Sequence, residues 1–317
     1  MKKSIAVVLA GMTLAFAPAA QAAPVQLSGD VSVTYERDKV DGVKTNGSII
    51  SLTVMGEMDL GAGWSLYSRL GAQKLTRAGM GDFNTDYYGE DDKSVLAIDQ
   101  FGFNYQKNDF TYKIGRQDTT IGTTALLYSR PDSNVGKKNF VDGVSFTGKA
   151  GVTDLTGIFA REDNVSGERK NKVYAVRAGY NPAENLNVGV TLGRYQSDAS
   201  TNHWAVDGTY TMGKSSLTGE FTKSNQDSEN KAYATTLNYD FDGKTAAYVT
   251  GFRVETNGAM GGQSDFVNFD DGTRGVHYGV THTLRDDVAL ELVYKKEKGI
   301  VGGERASILE ATVSYSF

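Results

Sequence analysis

Histidine can act as an acid, a base or a metal ligand, and this chain has three histidines. Their positions in the sequence do not predict an enzyme. His277 and His282 are five residues apart on one predicted strand, so alternation sends them to opposite faces and they cannot share a metal ion. His203 has no companion Gly-x-Ser-x-Gly motif. The glycine-rich run 258–262 lacks the strand-to-helix setting of a phosphate-binding loop. We expect no catalytic site, no metal site and no cofactor.

Charged residues of both signs recur instead on one face of predicted strands. Side chains in a strand alternate between two faces, and the segment 309–317 has an apolar face and a polar face. Elsewhere, charged side chains on the polar face include Asp30, Glu57, Asp59, Arg69, Lys113, Arg177, Glu220, Arg253, Glu291 and Lys295. Such strands separate an apolar environment from water.

The N-terminus has the three parts of a secretory signal peptide. Lys2 and Lys3 precede an apolar run from Ile5 to Phe16, and an Ala-x-Ala site follows at 20–22. We therefore predict a cleaved signal peptide over 1–22 and a single mature domain over 23–317. Removing 22 residues and two of the 33 bases leaves 295 residues with 31 bases and 38 acids, a net charge of −7.

The composition of the mature chain argues against an ordinary exported globular domain. The full sequence has 37 glycines, four prolines and no cysteine, so no disulfide framework stabilises the mature chain. After the signal peptide, no apolar run reaches the roughly 18 residues of a membrane-spanning helix. Only helices and closed barrels satisfy every backbone group in lipid, so a membrane location predicts a β-barrel.

Alternation predicts sixteen strands, with fourteen as the nearest alternative. Tight turns at 61–63, 107–109, 182–185, 213–214, 241–243 and 285–286 alternate with connections that we expect to be longer and polar. This arrangement is typical of outer-membrane barrels whose two termini lie at the short-turn rim. A soluble β-sandwich or solenoid is the other interpretation. The predicted strands cover 25–36, 47–60, 64–76, 94–106, 110–117, 140–149, 152–162, 171–181, 186–197, 202–212, 215–223, 230–240, 244–255, 274–284, 287–298 and 304–317.

Sixteen strands leave a water-filled lumen, which the chain has a segment to narrow. The connection at 118–133 contains Leu126, Leu127 and Tyr128, an apolar group that is unsuited to a free surface loop. We expect this third loop to fold into the lumen.

Short motifs around that loop carry a resemblance to a known family. Residues 112–117 (Tyr-Lys-Ile-Gly-Arg-Gln), the long third loop, residues 140–146 (Phe-Val-Asp-Gly-Val-Ser-Phe) and the terminal Phe317 resemble the trimeric Gram-negative porin family. The resemblance implies a general diffusion porin, a homotrimer of sixteen-stranded barrels embedded in outer-membrane lipid and lipopolysaccharide. Ions and small hydrophilic solutes would cross it passively.

The resemblance also implies site residues, because such porins set acids of the third loop against bases of the facing wall. The strict alternation of side chains puts Arg116 outward, so its assignment requires a bulge or a strand that ends at Gly115. The candidates are Asp118, Arg130 and Asp132 in the constriction, Arg69, Lys113, Arg116, Arg177 and Arg253 on the wall, and Tyr315 and Phe317 as the assembly signal.

Two other functions stay open: a solute-specific channel, and an adhesion or structural barrel that acts through its long loops. The net negative charge slightly favours cations as permeating ions and argues against nucleic acid as a partner.

Overall fold

The computed structural model describes residues 24–81, 85–89, 91–163 and 171–317. The predicted signal peptide and its cleavage site lie outside these ranges. Within them, no helix combines the length and apolar character that a membrane crossing by a helix requires. Helical structure in the described chain consists of α1 (Thr85–Tyr88) and a 3-10 turn at Met260–Gly262.

Sixteen antiparallel strands form a closed barrel, in which each strand pairs with its neighbours in the chain and the first pairs with the last. This confirms the predicted fold and the strand number. Two further strands, β6 (Thr119–Ile121) and β7 (Tyr128–Arg130), form a separate hairpin. The barrel strands are β1 (Gln26–Val40), β2 (Val43–Gly61), β3 (Trp64–Leu75), β4 (Ser94–Lys107), β5 (Phe110–Gln117), β8 (Val141–Ala150), β9 (Thr153–Glu162), β10 (Lys172–Ala183), β11 (Leu186–Gln196), β12 (Ser200–Met212), β13 (Ser215–Ser224), β14 (Lys231–Asp240), β15 (Thr245–Val254), β16 (Thr273–Arg285), β17 (Val288–Gly299) and β18 (Arg305–Ser316).

The carboxyl terminus closes the barrel against β1. The backbone N–H of Phe317 donates to the carbonyl of Gly29 at 2.9 Å, and the N–H of Gly29 donates to the carbonyl of Phe317 at 2.9 Å. Gly29 allows this approach, since a Cβ there would lie 2.2 Å from the Thr53 carbonyl oxygen and 2.8 Å from the Phe317 ring. The rings of Tyr315 and Phe317 stack beside the seam, 6.1 Å apart.

The two rims of the barrel differ, but less regularly than expected. The turn rim, where both termini lie, carries the short connections, and the loop rim carries the longest ones, at 76–93, 118–140 and 255–272. The prediction that every loop-rim connection is long is wrong. The first is the two-residue turn Asp41–Gly42, with φ of 47° and 89°. These positive angles are those of a type I′ hairpin turn, which favours Asp-Gly, so β1 and β2 continue to the turn.

The two faces of the strands follow the predicted parity over most of the barrel. Large apolar side chains on the outer face are exposed, and aromatic rings gather at the turn rim. Trp64 stacks on Tyr105 with ring centroids 4.4 Å apart, and Tyr105 stacks on Tyr112 at 6.2 Å. Aromatic rings favour the membrane–water interface, so this cluster marks one edge of the lipid-facing band. Other exposed outer-face side chains are Val33, Tyr35, Phe101, Phe103, Val176, Tyr180, Val206 and Leu292.

A β-bulge in β4 reverses the parity partway along that strand. The register with β3 shifts between Arg69 and Leu70, so Asp99 and Gln100 are both buried although they are adjacent. The outward apolar residues accordingly change from Leu96 and Ile98 to Phe101 and Phe103. The bulge brings a carboxylate and an amide to the inner face, where they contact the third loop.

The lipid-facing register predicts a strongly position-dependent effect of charge on β17. Leu292 lies on the outer face in mid-strand, paired with Val280 and Ala311, and the adjacent Glu291 lies on the inner face. We expect Leu292→Arg to destabilise the folded barrel by about 2–4 kcal/mol, because the cation would lie in hydrocarbon. Refolding yield and urea unfolding in lipid vesicles measure the effect. Glu291→Arg is the matched control and should fold nearly as well as the parent, and equal behaviour of the two variants would contradict the register.

Candidate functional site

The third loop (118–140) packs as a hairpin against inward-facing side chains of the barrel. Leu127 and Tyr128 are fully buried in one apolar cluster with wall residues of β9, β10 and β12. These wall residues include Ile158, Val173 and Ala205. The contacts are those of a loop that lies inside the barrel, and the apolar group at 126–128 supplies them.

The far end of the third loop is held by a buried carboxylate of the opposite wall. Glu220 on β13 accepts hydrogen bonds from the backbone N–H and the hydroxyl of Thr124, at 2.9 and 2.8 Å. Gly122 permits this contact, because it has a φ of 94° and a Cβ there would lie 2.1 Å from a Glu220 oxygen. The sequence analysis placed Glu220 on the inner face but did not identify its partner.

The seventh loop (255–272) also folds inward and joins the third. The N–H of Met260 donates to the Leu127 carbonyl at 2.8 Å, and the N–H of Ser129 donates to the Gln263 carbonyl at 2.9 Å. Phe266 packs with Leu126 and with inward residues of β14 and β15. The two loops therefore form one layer across part of the lumen, an arrangement that the sequence analysis missed.

Arg69, predicted on the channel wall, anchors the other end of the third loop. Its guanidinium is buried between Asp99, at 2.8 and 3.0 Å, and Asp132, at 2.8 Å. It also donates to the Asn134 carbonyl at 2.6 Å and lies over the Phe140 ring, 5.0 Å from the centroid. Arg69 faces inward, as predicted. It does not line the channel, because the third loop covers its side chain.

Arg130, predicted in the constriction, is buried as well. It pairs with Glu162 at 3.4 Å and donates to the Phe140 carbonyl at 3.2 Å. Glu162 also accepts a hydrogen bond from the Tyr128 hydroxyl at 2.8 Å. Burial holds the pKa of Tyr128 well above its ordinary value, so the hydroxyl stays a proton donor. Arg130 therefore fixes the loop to the wall and does not face the channel.

Two wall candidates, Lys113 and Arg177, do lie on the inner face. Lys113 is half-buried and pairs with the third-loop carboxylate of Asp118 at 2.8 Å. The Arg177 guanidinium pairs with Asp207 on β12 at 2.9 and 2.5 Å. The carboxylate of Asp132 is held by Arg69, but its side chain remains 66% exposed.

The other two wall candidates, Arg116 and Arg253, lie on the outer face, and their predicted placement is wrong. β5 pairs continuously with β8 from Phe110 to Gln117, without the bulge that an inward Arg116 requires. Arg116 lies over the ring of the outward Phe101 at 5.6 Å. Arg253 pairs across the sheet with the outward Tyr233.

Further charged pairs on the inner side involve the second loop, β1, β17 and β18. Arg77 bonds Asp38 of β1 at 2.7 Å, and Lys295 of β17 bonds Glu310 of β18 at 2.7 Å. Asp265 of the seventh loop lies within electrostatic range of Lys295. The third and seventh loops contact inner-face residues of β8 to β15, and the side-chain amide of Asn268 in the seventh loop also donates to the carboxylate of Glu297 on β17.

A closed sixteen-stranded barrel with an apolar belt outside and charged groups around an inner passage is the architecture of an outer-membrane channel. The model of the Gram-negative porin family matches residues 6–299, and the chain belongs to that family. It is an outer-membrane porin. No match was found among curated proteins.

Solved structures share the fold at low sequence identity. The loop L8 deletion mutant of OmpT, an outer membrane protein of Vibrio cholerae, gives a TM-score of 0.63 at 15% identity, over 94% of this chain and 100% of that one. OmpT in its trimer form gives 0.61 at 14%, over 94% and 100%. A triple mutant of Rhodopseudomonas blastica porin gives 0.60 at 11%, over 93% and 100%.

The buried anchor at Arg69 predicts a large loss of stability when it is removed. Arg69→Met leaves Asp99 buried without its cation, so we expect the free energy of unfolding to fall by about 3–5 kcal/mol. Lys113→Met is the matched control, because it breaks a half-exposed pair that is worth about 0–1 kcal/mol. Urea unfolding measures both. A loss for Arg69→Met no larger than that for Lys113→Met would show that Arg69 is not an anchor.

Proposed function

We propose that this porin is a general diffusion channel that prefers cations and is narrowed by the third and seventh loops. The preference for cations rests on one observation: several bases in the lumen are each shared between two acids. Lys113 and Lys149 each pair with one acid, whereas three other bases that face the lumen each lie beside more than one acid. These groups are Arg77 with Glu36 and Asp38, Lys295 with Glu291 and Glu310, and Arg177 with Asp154 and Asp207.

Three bases that were predicted to line the channel wall do not reach the water in the lumen, and this strengthens the preference for cations. Arg69 is covered by the third loop, and Arg116 and Arg253 face outward. Of the acids predicted on the inner face, Asp30, Glu57, Asp59 and Glu291 remain exposed, whereas Glu220 is buried under the third loop. Rings of fixed charge set which ions pass a narrow pore, so an excess of carboxylates favours cations over anions.

The mechanism is passive. The lumen presents charged groups of both signs, such as Lys295 with Glu310 on the wall and Lys113 with Asp118 of the third loop. A polar solute can exchange water for these groups and orient between them, whereas an apolar solute loses water without replacement. Diffusion of this kind requires neither an energy source nor a cofactor.

The solute-specific and adhesion alternatives receive less support. A sugar-selective channel would need exposed aromatic rings along the lumen, but Tyr67 is buried and its hydroxyl donates to the Arg116 carbonyl at 3.0 Å. An adhesion barrel would act through projecting loops, whereas the third and seventh loops contact the inner wall and each other.

We also propose a homotrimer in the outer membrane. The outward aromatic cluster on β3, β4, β5 and β8 offers a broad apolar surface, formed by Trp64, Phe103, Tyr105, Tyr112 and Phe146. The solved trimer form of OmpT of Vibrio cholerae supports this assembly for a similar fold. In this proposal, Tyr315 and Phe317 serve as the assembly signal at the barrel seam.

Selectivity variants test the proposed function. Parent channels in planar bilayers should show a cation-selective reversal potential in a salt gradient. Lys295→Gln should raise the cation-to-anion permeability ratio by up to about fivefold, since unit charges 4 Å apart interact by about 1 kcal/mol in water. Glu310→Gln should lower it. Lys107→Gln, on the outer face near the turn rim, is the control and should change nothing. An anion-selective parent, or no shift in either lumen variant, would contradict the proposal.

Export by the predicted signal peptide is a separate proposal. The mature chain purified from the outer membrane should begin at Ala23 and lack residues 1–22. Intact-mass measurement and N-terminal sequencing decide this. A chain in the membrane fraction that still carries residues 1–22 would contradict cleavage.

A further inference from the structure

His203, for which the sequence analysis found no catalytic partner, lies buried at the loop-rim end of β12. Its side chain is 4% exposed, and among the described residues neither of its ring nitrogens has a hydrogen-bond partner. Buried polar atoms without a partner destabilise a folded protein, and proteins contain few of them. The barrel wall itself therefore gives no hydrogen bond that accounts for a histidine at this position.

The first part of the seventh loop covers this imidazole. We call residues 255–260 the leading segment. The backbone of Asn257 and Ala259 lies beside the ring of His203, and the side chains of Ala259 and Met260 are buried. His203 also borders a cavity of about 480 Å³, which is lined in part by the leading segment. The ring is therefore shielded from water by a loop and not only by neighbouring strands.

Neutral hydrogen bonds attach the leading segment to the barrel. The hydroxyl of Thr222 on β13 donates to the Gly258 carbonyl at 2.5 Å. The backbone N–H of Asn257 donates to the carbonyl of Glu229 in the sixth loop (225–230) at 2.7 Å. Hydroxyl and backbone groups keep their protons at ordinary pH, so these bonds do not change when the pH falls.

The titratable groups on the neighbouring elements do not pair with His203, since no described carboxylate bonds its ring nitrogens. Most of these groups have partners of their own, and the others are exposed to water. They are Tyr195 of β11, bonded to Glu162; Asp207 of β12, bonded to Arg177; Glu220 of β13, bonded to Thr124; Glu255 of the seventh loop, bonded to Arg253; and the exposed Asp227, Glu229 and Asp270.

Protonation of His203 therefore opposes the covering of its ring. A charged imidazole that leaves water without gaining a carboxylate partner is unfavourable, whereas a neutral imidazole can be covered. A histidine in contact with water takes up its proton near about pH 6.5. The released segment thus binds this proton more readily than the covered segment does. The covered state is favoured above about pH 6.5 and is lost progressively as the pH falls below that value.

The other histidine beneath the seventh loop responds to a proton in the opposite direction. The Nε2 atom of His277 contacts Oε1 of Glu297 at 2.7 Å, and the side-chain amide of Asn268 donates to the other oxygen of that carboxylate. A proton on His277 converts the contact with Glu297 into an ion pair. The ring of His277 also packs against Phe252 and Phe266, with centroids 4.8 and 5.8 Å apart. Acid therefore does not break the contacts near the end of the loop.

We propose that His203 is an acid sensor, whose protonation releases the leading segment from the barrel wall while the contact at Asn268 holds the rest of the loop. The release reaches the third loop, because the N–H of Met260 donates to the Leu127 carbonyl at 2.8 Å and Ala259 packs with Leu126. The third loop then loses support, so the narrowing of the channel becomes less rigid at acidic pH. The proposal is independent of the preference for cations.

The mobility of a spin label on the leading segment tests the proposal. Thr256 is exposed on this segment, so Thr256→Cys in the cysteine-free chain places a nitroxide label away from the covered ring. Spectra of the folded barrel in lipid vesicles are recorded from about pH 7.5 to about pH 4.5, on both sides of the ordinary histidine range. The test variant is His203→Leu, which stays neutral. His277→Gln is the matched control, since it removes the other buried histidine beneath the same loop.

In the parent we expect an immobile label at neutral pH and a growing mobile component below about pH 6.5. For one proton, the ratio of released to covered loop can rise by up to about tenfold per pH unit, or roughly thirtyfold at about pH 5. His203→Leu should keep the label immobile throughout, and His277→Gln should respond like the parent. If His203→Leu does not fold, His203→Gln is also neutral and should give a label that is insensitive to pH.

Several outcomes would overturn the sensor. A label in the parent whose mobility is the same at all pH values would show that no release occurs. An equal acid response in the parent and in His203→Leu would assign the response to another group. Loss of the response in His277→Gln but not in His203→Leu would place the sensor at the other end of the loop. The reversal potential is measured separately at neutral pH, so each of these results leaves the proposed function standing.

Discussion

Closure of the strand ladder is the constraint on which the rest of this molecule depends. Backbone N–H and C=O groups in lipid have no water to bond, so each must find a partner within the sheet. The bonds between Gly29 and Phe317 join the last strand to the first and leave no free edge. Because the sheet is closed, alternation along each strand sorts side chains between lipid and lumen. A break at the seam would expose two edges to hydrocarbon.

Closure with sixteen strands creates a lumen that is too wide to be filled by wall side chains, and the loops take over that task. Their position depends on buried polar groups. Arg69 with Asp99 holds the base of the third loop, and Glu220 holds its far end through Thr124. Charges that are buried in this way hold the loops in position, and in the proposed function the charges that stay near water, such as Lys295 and Glu310, set the selectivity. The same residue types serve both purposes, and only the contacts distinguish them.

The sequence was sufficient for the fold because lipid and water impose a strict period of two. It predicted all sixteen barrel strands, and it singled out the apolar group at 126–128, which contacts side chains of the barrel wall. The early turn Asp41–Gly42 and the bulge at Asp99–Gln100 also had signals, namely an Asp-Gly pair and a change of apolar parity between Ile98 and Phe101. Those signals were overlooked.

The site was less predictable because polarity alone does not separate a lumen charge from a headgroup-level charge. Arg253 is polar and was assigned inward, yet its neighbours Phe252 and Val254 face inward under the seventh loop. Where a loop covers the inner wall, the inward residues are apolar. The alternation of apolar and polar residues is therefore inverted at that end of β15. Arg69 kept its parity but lost contact with water under the third loop. Such effects depend on loop packing between residues far apart in the chain.

The position of the third loop is the most direct test of this account, and a cysteine-free chain makes it accessible. Cysteines at positions 124 and 220 of the folded barrel would be treated with a short thiol–thiol cross-linker while single-channel conductance is recorded. The account predicts an intramolecular cross-link and an unchanged conductance, because Thr124 already lies in contact with Glu220. Failure to cross-link, with free access of a bulky impermeant thiol reagent to position 124 from the loop side, would contradict it.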